Sequence, residues 1–117
     1  MKKILITGGG GYIGSMVTTE LVKLGHKVTV IDLLKYDKGS LDHLYFEKNF
    51  TFINEDVNKI NLLKKHIKKN EFIIPLAALV GAPLCEENKK EAISINFQSV
   101  KNILKNLNIK NKLIYLT

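Results

Sequence analysis

Apolar residues in this chain follow two patterns that alternate from end to end: short continuous runs, and stretches where they return every third or fourth position. Lys3-Ile4-Leu5-Ile6-Thr7 is a continuous run broken by glycines, which predicts a buried strand. From Tyr12 to Leu24, apolar residues fall at Ile13, Val17, Leu21 and Leu24, the spacing of a helix that Gly25 is placed to end. Lys27-Val28-Thr29-Val30-Ile31-Asp32 is β-branched and predicts a second strand. Residues 33–50 have no clear period and are expected to form a loop with a short helix around Leu41–Phe46. Thr51–Asn54 predicts a third strand. Asp56 or Asn58 is then placed to cap a helix carrying Ile60, Leu63 and Ile67 on one face. Glu71–Leu76 predicts a fourth strand, followed by a loop with Gly81 and Pro83. The longest helix is expected from Glu87 to Asn108, with Ile93, Phe97, Val100, Leu104 and Leu107 as its buried stripe. Lys112–Thr117 predicts a fifth strand.

Five near-continuous apolar strands joined by helices imply a parallel sheet covered on both faces. Right-handed crossovers make such an α/β sheet doubly wound, with expected strand order 3-2-1-4-5. No linker, repeat or low-complexity stretch divides the chain, so residues 1–117 are expected to form one domain.

The turn after the first strand carries the clearest chemical signal. In Thr7-Gly8-Gly9-Gly10-Gly11-Tyr12-Ile13-Gly14-Ser15, Gly9, Gly11 and Gly14 fit G-x-G-x-x-G, and Gly8, Gly11 and Gly14 fit G-x-x-G-x-x-G. A sharp strand-to-helix turn needs glycine's backbone freedom, and a pyrophosphate reaches a helix N-terminus only where no side chain blocks it. Gly14 would let the helix pack closely on the sheet. No Gly-Lys-Ser/Thr follows, which excludes a P-loop. Asp32, 18 residues after Gly14 at the end of the second strand, is placed to accept hydrogen bonds from both ribose hydroxyls of an adenosine and to repel a 2′-phosphate. These are the parts of a Rossmann-type dinucleotide site that takes NAD.

With these residues in place, the chain resembles the extended short-chain dehydrogenase/reductase family, in particular its NAD-dependent epimerases and dehydratases acting on nucleotide sugars. Thr7 to Gly14 is close to the family's T-G-x-x-G-x-x-G. Asp32 matches its second-strand acid, and Glu55-Asp56-Val57 its Gly-Asp-Val/Leu, whose aspartate and next amide meet the adenine. Leu76-Ala77-Ala78 matches the fourth-strand signature, whose backbone lines the cofactor ribose, and Ile95-Asn96-Phe97 the "v-N-v" segment of the long helix. The resemblance implies cofactor contacts from Gly8, Gly11, Tyr12, Ile13, Gly14, Asp32, Asp56, Val57, Leu76, Ala77 and Ala78. It implies hydride transfer from a sugar carbon to nicotinamide, with a tyrosinate as base. It leaves room for a homodimer.

Three features depart from the family pattern. Pro75 replaces the usual His or Asp and must remove a ladder hydrogen bond at the end of the fourth strand. The segment Leu76–Cys85 is similar to a branch other than the galactose epimerases, so the sugar stays open. In the family the fifth strand leads to a catalytic Ser/Thr and then Tyr-x-x-x-Lys; here the sequence stops at Thr117, and aligning the strand puts the catalytic hydroxyl on the next residue, with Thr117 as the alternative stand-in. Residues 1–117 are therefore expected to be an incomplete dinucleotide-binding domain, inactive alone. A non-catalytic dinucleotide sensor and an inactive truncated remnant are the competing readings.

Composition adds limits. The net charge of +7 suggests nucleic acid, but all 18 cationic side chains are lysine. Arginine, which reads guanine edges and grips phosphate bidentately, is absent. Lys64-Lys65 and Lys68-Lys69 read as the solvated face of one helix. No nucleic-acid or membrane partner is expected: no apolar run approaches a membrane span, and Ile4-Leu5-Ile6 is too short for a signal-peptide core. A single cysteine, Cys85, agrees with a cytoplasmic protein. His26, His43 and His66 lack metal-ligand spacing, and no metal site is expected. Tyr12 is expected to pack over the glycine loop, and Asn96 to brace the active-site strand through a hydrogen bond.

Overall fold

The computed structural model describes residues 1–33, 39–76 and 89–115, with side chains of the last segment from residue 98. Ala77, Ala78, Cys85, Thr117 and the loop of Gly81 and Pro83 lie outside the described residues, as do the side chains of Ile93, Asn96 and Phe97.

Five parallel strands form one sheet in the order β3-β2-β1-β4-β5. They are β1 (Lys3–Thr7), β2 (Lys27–Ile31), β3 (Phe50–Ile53), β4 (Phe72–Pro75) and β5 (Lys112–Leu113). The helices are α1 (Tyr12–Lys23), α2 (Ile60–Lys69) and α3 (Lys89–Asn106), and a short 3₁₀ turn (Asp42–Leu44) precedes β3. This is the doubly wound α/β fold and the strand order that the apolar pattern predicts.

Side-chain alternation divides the sheet between two cores. Ile4, Ile6, Val28, Val30 and Ile74 face one layer, where Val22 of α1 and Leu41 and Leu44 around the 3₁₀ turn close over them. Leu5, Ile31 and Ile73 face the other, against Leu63 and Ile67 of α2 and Ile103 of α3. Burial on both faces explains why the strands read as unbroken apolar runs rather than alternating ones.

Helix α1 ends as glycine at position 25 predicts. Gly25 has φ +88°, its N–H donates to the Val22 carbonyl (3.0 Å), and the His26 N–H donates to the Leu21 carbonyl (3.2 Å). These are the two bonds of a Schellman ending. The helix is turned from the expected phase, however. Gly14, Thr18 and Val22 are buried, Val17 and Leu21 partly so, and Ile13 and Leu24 exposed. The face nearest the sheet is made of small residues, which hydrophobic periodicity does not register. A similar correction applies to α3. Ile103, Ser99 and Asn102 are buried, whereas Leu104 is exposed and only Leu107 of the described stripe packs on the core. Asn102 is admitted because its amide is satisfied: it accepts from Gln98 Nε2 (3.0 Å) and donates to Asn58 Oδ1 (3.3 Å).

Neither Asp56 nor Asn58 caps α2. The residue before the helix is Lys59, with no side-chain cap, and Asp56 Oδ1 instead accepts the Asn58 N–H (2.9 Å) in a turn ahead of the helix. Ile60 is exposed, while Leu63 and Ile67 are buried as expected.

Pro75 shapes the far side of the sheet. Leu76 N–H donates to the Thr7 carbonyl (2.7 Å), so alternate residues of β4 serve β1. Ile73 faces β5, accepting the Ile114 N–H (2.9 Å), and residue 75 shares its direction. A proline there offers the Ile114 carbonyl no donor, and the β4–β5 ladder reaches only Ile73 and Leu113.

The connections from helix to strand all lie at the N-terminal edge of the sheet, fastened by two asparagines. Asn49 Nδ2 donates to the carbonyls of Val22 (3.0 Å) and His26 (2.8 Å), joining the end of α1 to the approach of β3. Asn111 Nδ2 donates to Ile67 (3.1 Å) and Asn70 (2.8 Å), joining the end of α2 to the approach of β5. Each supplies donors to carbonyls near a helix end, where the last turn lacks partners of its own.

Candidate functional site

At the opposite, C-terminal edge, the described residues that directly follow β1, β2, β3 and β4 meet. They include Gly8, Asp32, Asp56 and Leu76, on one side of the sheet, where the chain changes direction between β1 and β4. Ligands of doubly wound sheets lie in this crevice.

The glycine loop is built from three different demands. Gly8 has φ +78°, a conformation side-chain-bearing residues rarely adopt, and its N–H donates to the Ile31 carbonyl (2.9 Å). At Gly14 an added Cβ would lie 2.3 Å from the Gly8 carbonyl oxygen and 2.7 Å from Gly9 Cα, so α1 touches the loop backbone itself. At Gly11 an added Cβ would meet only the Gly8 oxygen, at 3.6 Å. Among the described residues, no other atom beyond its chain neighbours comes within 4 Å of that position. Gly9, which the motif reading did not place among the contacts, packs against β2: a Cβ would come within 2.7 Å of a Val30 methyl.

Gly11 is the residue before α1; no side chain caps the helix and its first turn holds no acid. The helix N-terminus thus offers its amides and the positive end of its dipole to the open space at Gly11. An anion is what this arrangement can hold. Two contacts fix the loop. Asp32 Oδ2 accepts the Gly10 N–H (2.7 Å), and Ser40 Oγ donates to the Gly10 carbonyl (2.7 Å). Asp32 itself is anchored by its N–H to the Ile53 carbonyl (3.1 Å). Ser40 lies in the stretch without period, and sequence reasoning misses it; a serine after Gly39 is only a turn signal.

Val57 is buried in the core beside β3, which positions the Asp56 turn at this edge. Glu55 and Lys59 bracket it as an exposed pair 2.8 Å apart. The hydrogen bond from the Lys59 ammonium holds the Glu55 carboxyl below the usual carboxylate range, and the same bond raises Lys59. Leu76 is buried and hydrogen-bonded to β1. Tyr12 departs from expectation. It is 83% exposed rather than packed over the loop, because the loop's own contacts to β2 and to Ser40 already cover it. His26 and His66 stand at the far edge, before β2 and in the last turn of α2. His43 Nε2 meets Thr19 Oγ1 at 2.7 Å on the outer side of α1.

The family model of the NAD dependent epimerase/dehydratase family matches residues 4–117. The chain is 36% identical over 115 residues to a UDP-N-acetyl-alpha-D-glucosaminuronate decarboxylase of Bacillus cytotoxicus, covering 97% of this chain and 36% of that protein. A solved UDP-N-acetylglucosamine 4-epimerase from Methanobrevibacter ruminantium, in complex with UDP-N-acetylmuramic acid, is similar at 29% identity and a TM-score of 0.75, over 89% of this chain and 33% of that one. An epimerase from Methanothermobacter thermautotrophicus shares the fold with a TM-score of 0.83 at 24% identity, over 97% of this chain and 34% of its own. The chain spans about a third of the length of these relatives.

Proposed function

Because the chain belongs to the NAD dependent epimerase/dehydratase family, we propose that its residues hold NAD for an enzyme that acts on a nucleotide sugar. NAD supplies the hydride acceptor of that chemistry. The pyrophosphate lies in the open space at Gly11, on the backbone amides of Tyr12 and Ile13, with Gly8 and Gly14 permitting the turn. Asp32 accepts from the adenosine ribose, Asp56 and Val57 border the adenine, and Leu76, Ala77 and Ala78 line the second ribose. The observation that carries this reading is the uncapped N-terminus of α1 behind a glycine whose Cβ position meets, among the described residues, only the Gly8 oxygen, beside a carboxylate that already holds Gly10 at 2.7 Å. The single cysteine supports a cytoplasmic setting. Among the described residues no helix is long and apolar enough to cross a membrane.

Calorimetric titration with both dinucleotides tests the assignment of Asp32. NAD should bind more tightly than NADP by about tenfold or more, because a 2′-phosphate would face a carboxylate of like charge. Asp32→Asn keeps an acceptor for the Gly10 amide and removes the charge, so it should narrow the preference. Asp32→Ala should weaken NAD by about tenfold, the worth of one hydrogen bond to a charged group. Equal or tighter binding of NADP by the unaltered chain would rule out this role.

A second expectation concerns turnover by these residues alone. Removing a hydroxyl proton as hydride leaves requires a base poised near the working pH. None of Tyr12, Tyr36 and Tyr45 has a lysine four residues on, and His26 and His66 lie at the wrong edge of the sheet. Residues 1–117 with NAD and a panel of UDP-, GDP-, CDP- and dTDP-sugars should yield neither NADH nor converted sugar. Turnover that disappears in Gly11→Val would show that these residues include a base after all.

A further inference from the structure

Lysines that are scattered along the sequence are gathered by the fold. Every helix-to-strand connection of a parallel sheet ends at the same edge, and here each brings cations with it. Lys2 and Lys3 precede and open β1, Lys23 and Lys27 flank the turn into β2, and Lys48 precedes β3. Lys68 and Lys69 end α2, and Lys110 and Lys112 lead into β5. All are exposed. Among the described residues the carboxylates nearby are Glu71, paired with Lys2 at 3.7 Å, Glu20, paired with Lys23 at 3.9 Å, and the exposed Glu47 next to Lys48 in sequence; the two pairs are of the exposed kind worth little in water.

The same edge carries four strongly exposed aliphatic and aromatic side chains. Ile109 is 101% exposed in the turn before β5, Phe46 98% in the approach to β3, Met1 79% and Leu24 71%. Three of these tips adjoin a lysine in sequence: Met1 and Lys2, Leu24 and Lys23, Ile109 and Lys110. Leu24, Phe46 and Ile109 project from connections fastened by Asn49 and Asn111. Four strand spacings make this edge about 20 Å long.

The expectation of no membrane partner rests on the lack of a spanning apolar run; against it, we propose that this N-terminal edge docks on an anionic lipid bilayer, with lysines over the headgroups and Ile109, Leu24, Phe46 and Met1 dipping into the interface. Cations around apolar tips suit such a surface, since electrostatic attraction and shallow apolar burial add. A nucleic acid fits less well: it would use the charge but leave the aliphatic tips in water, and lysine lacks arginine's planar fork. Docking this way needs no spanning segment. It also turns the C-terminal edge, with the glycine loop and Asp32, away from the membrane and leaves it open to solutes.

Sedimentation of the full chain with vesicles tests the proposal. The chain should pellet with phosphatidylcholine vesicles containing about one-third phosphatidylserine, and not with phosphatidylcholine alone. Raising salt from about 0.1 M to about 1 M should release it, as the screening length shrinks from about 10 Å to about 3 Å. Ile109→Asp and Leu24→Asp should each weaken binding on the order of tenfold, by removing one buried aliphatic side chain and adding a like charge to the lipid's. Ile60→Asp, an exposed apolar position at the opposite edge, should change nothing, and Gly11→Val should bind vesicles like the unaltered chain, which separates this proposal from the dinucleotide reading. Thermal melts unchanged in Ile109→Asp would show an intact fold. Failure to pellet with the anionic vesicles, binding indifferent to Ile109 and Leu24, or displacement of the chain from vesicles by duplex DNA of comparable affinity would each overturn it.

Discussion

Gly11→Val should leave the chain folded and take away its affinity for NAD. Position 11 tolerates a side chain in every local respect. Its φ of −74° is open to any residue, and a Cβ would meet nothing closer than the Gly8 oxygen at 3.6 Å. The cost to stability should be about 1 kcal/mol, because glycine is a favoured residue at the position before a helix and valine is a poor one. The cost to binding is of another order. A branched side chain would fill the space where the pyrophosphate must lie and hold it off the first amides of α1. Losing two charge-assisted hydrogen bonds corresponds to roughly 100-fold or more in affinity. Calorimetry gives the binding and circular-dichroism melts the fold. A variant that melts like the unaltered chain and binds NAD just as well would show that the anion does not sit there.

Gly14→Ala, one turn further along, should do the reverse and break the domain. The methyl group would stand 2.3 Å, 2.7 Å and 2.9 Å from backbone atoms of Gly8 and Gly9, and no rotamer change can relieve a clash with backbone. Helix α1 would have to move off the sheet, disturbing the contacts of Thr18 and Val22 with the layer below. Such overpacking costs roughly 3 kcal/mol. In a domain of this size that lowers the melting temperature by roughly 10–20 °C, and NAD binding goes with it. Urea and thermal unfolding would decide; a variant as stable as the parent would show that α1 has room to shift. At Gly9 a side chain should also cost stability, because it would press on both methyls of Val30, at 2.7 Å and 2.8 Å, in a fully buried and β-branched residue that has nowhere to turn.

The division of labour between the two glycines was legible in the motif, which places close helix packing at Gly14 and a ligand's approach at Gly11. The structure adds how tight each position is: 2.3 Å to backbone at Gly14 against 3.6 Å at Gly11. The same holds across the chain. The strands were legible because burial on both faces leaves continuous apolar runs, and strand order follows from handedness. The facing of α1 and α3 was not, because the buried positions are Gly14, Thr18, Ser99 and Asn102, residues a hydrophobicity count treats as neutral or polar. Asp32 was legible by its distance from the glycines. Its bond to Gly10, and the second clasp from Ser40, were not, since both depend on how the stretch after β2 folds back. The lysines are the plainest instance: dispersed in sequence, they meet because helix-to-strand turns share an edge.

The paired fastenings of Asn49 and Asn111 carry a chemical liability. Each presents one amide nitrogen to two carbonyl oxygens, so both of its hydrogens are engaged. Hydrolysis of that amide, the slow spontaneous loss of ammonia to which asparagines are prone, would keep the shape almost unchanged and invert the interaction: an aspartate has no hydrogen to give and would set a negative oxygen against two others. The same bonds that lock the connections also restrain the side chain from the backbone attack that begins such hydrolysis. This edge should therefore resist ageing while folded, and the damage, once done in a transiently opened chain, should hinder its return.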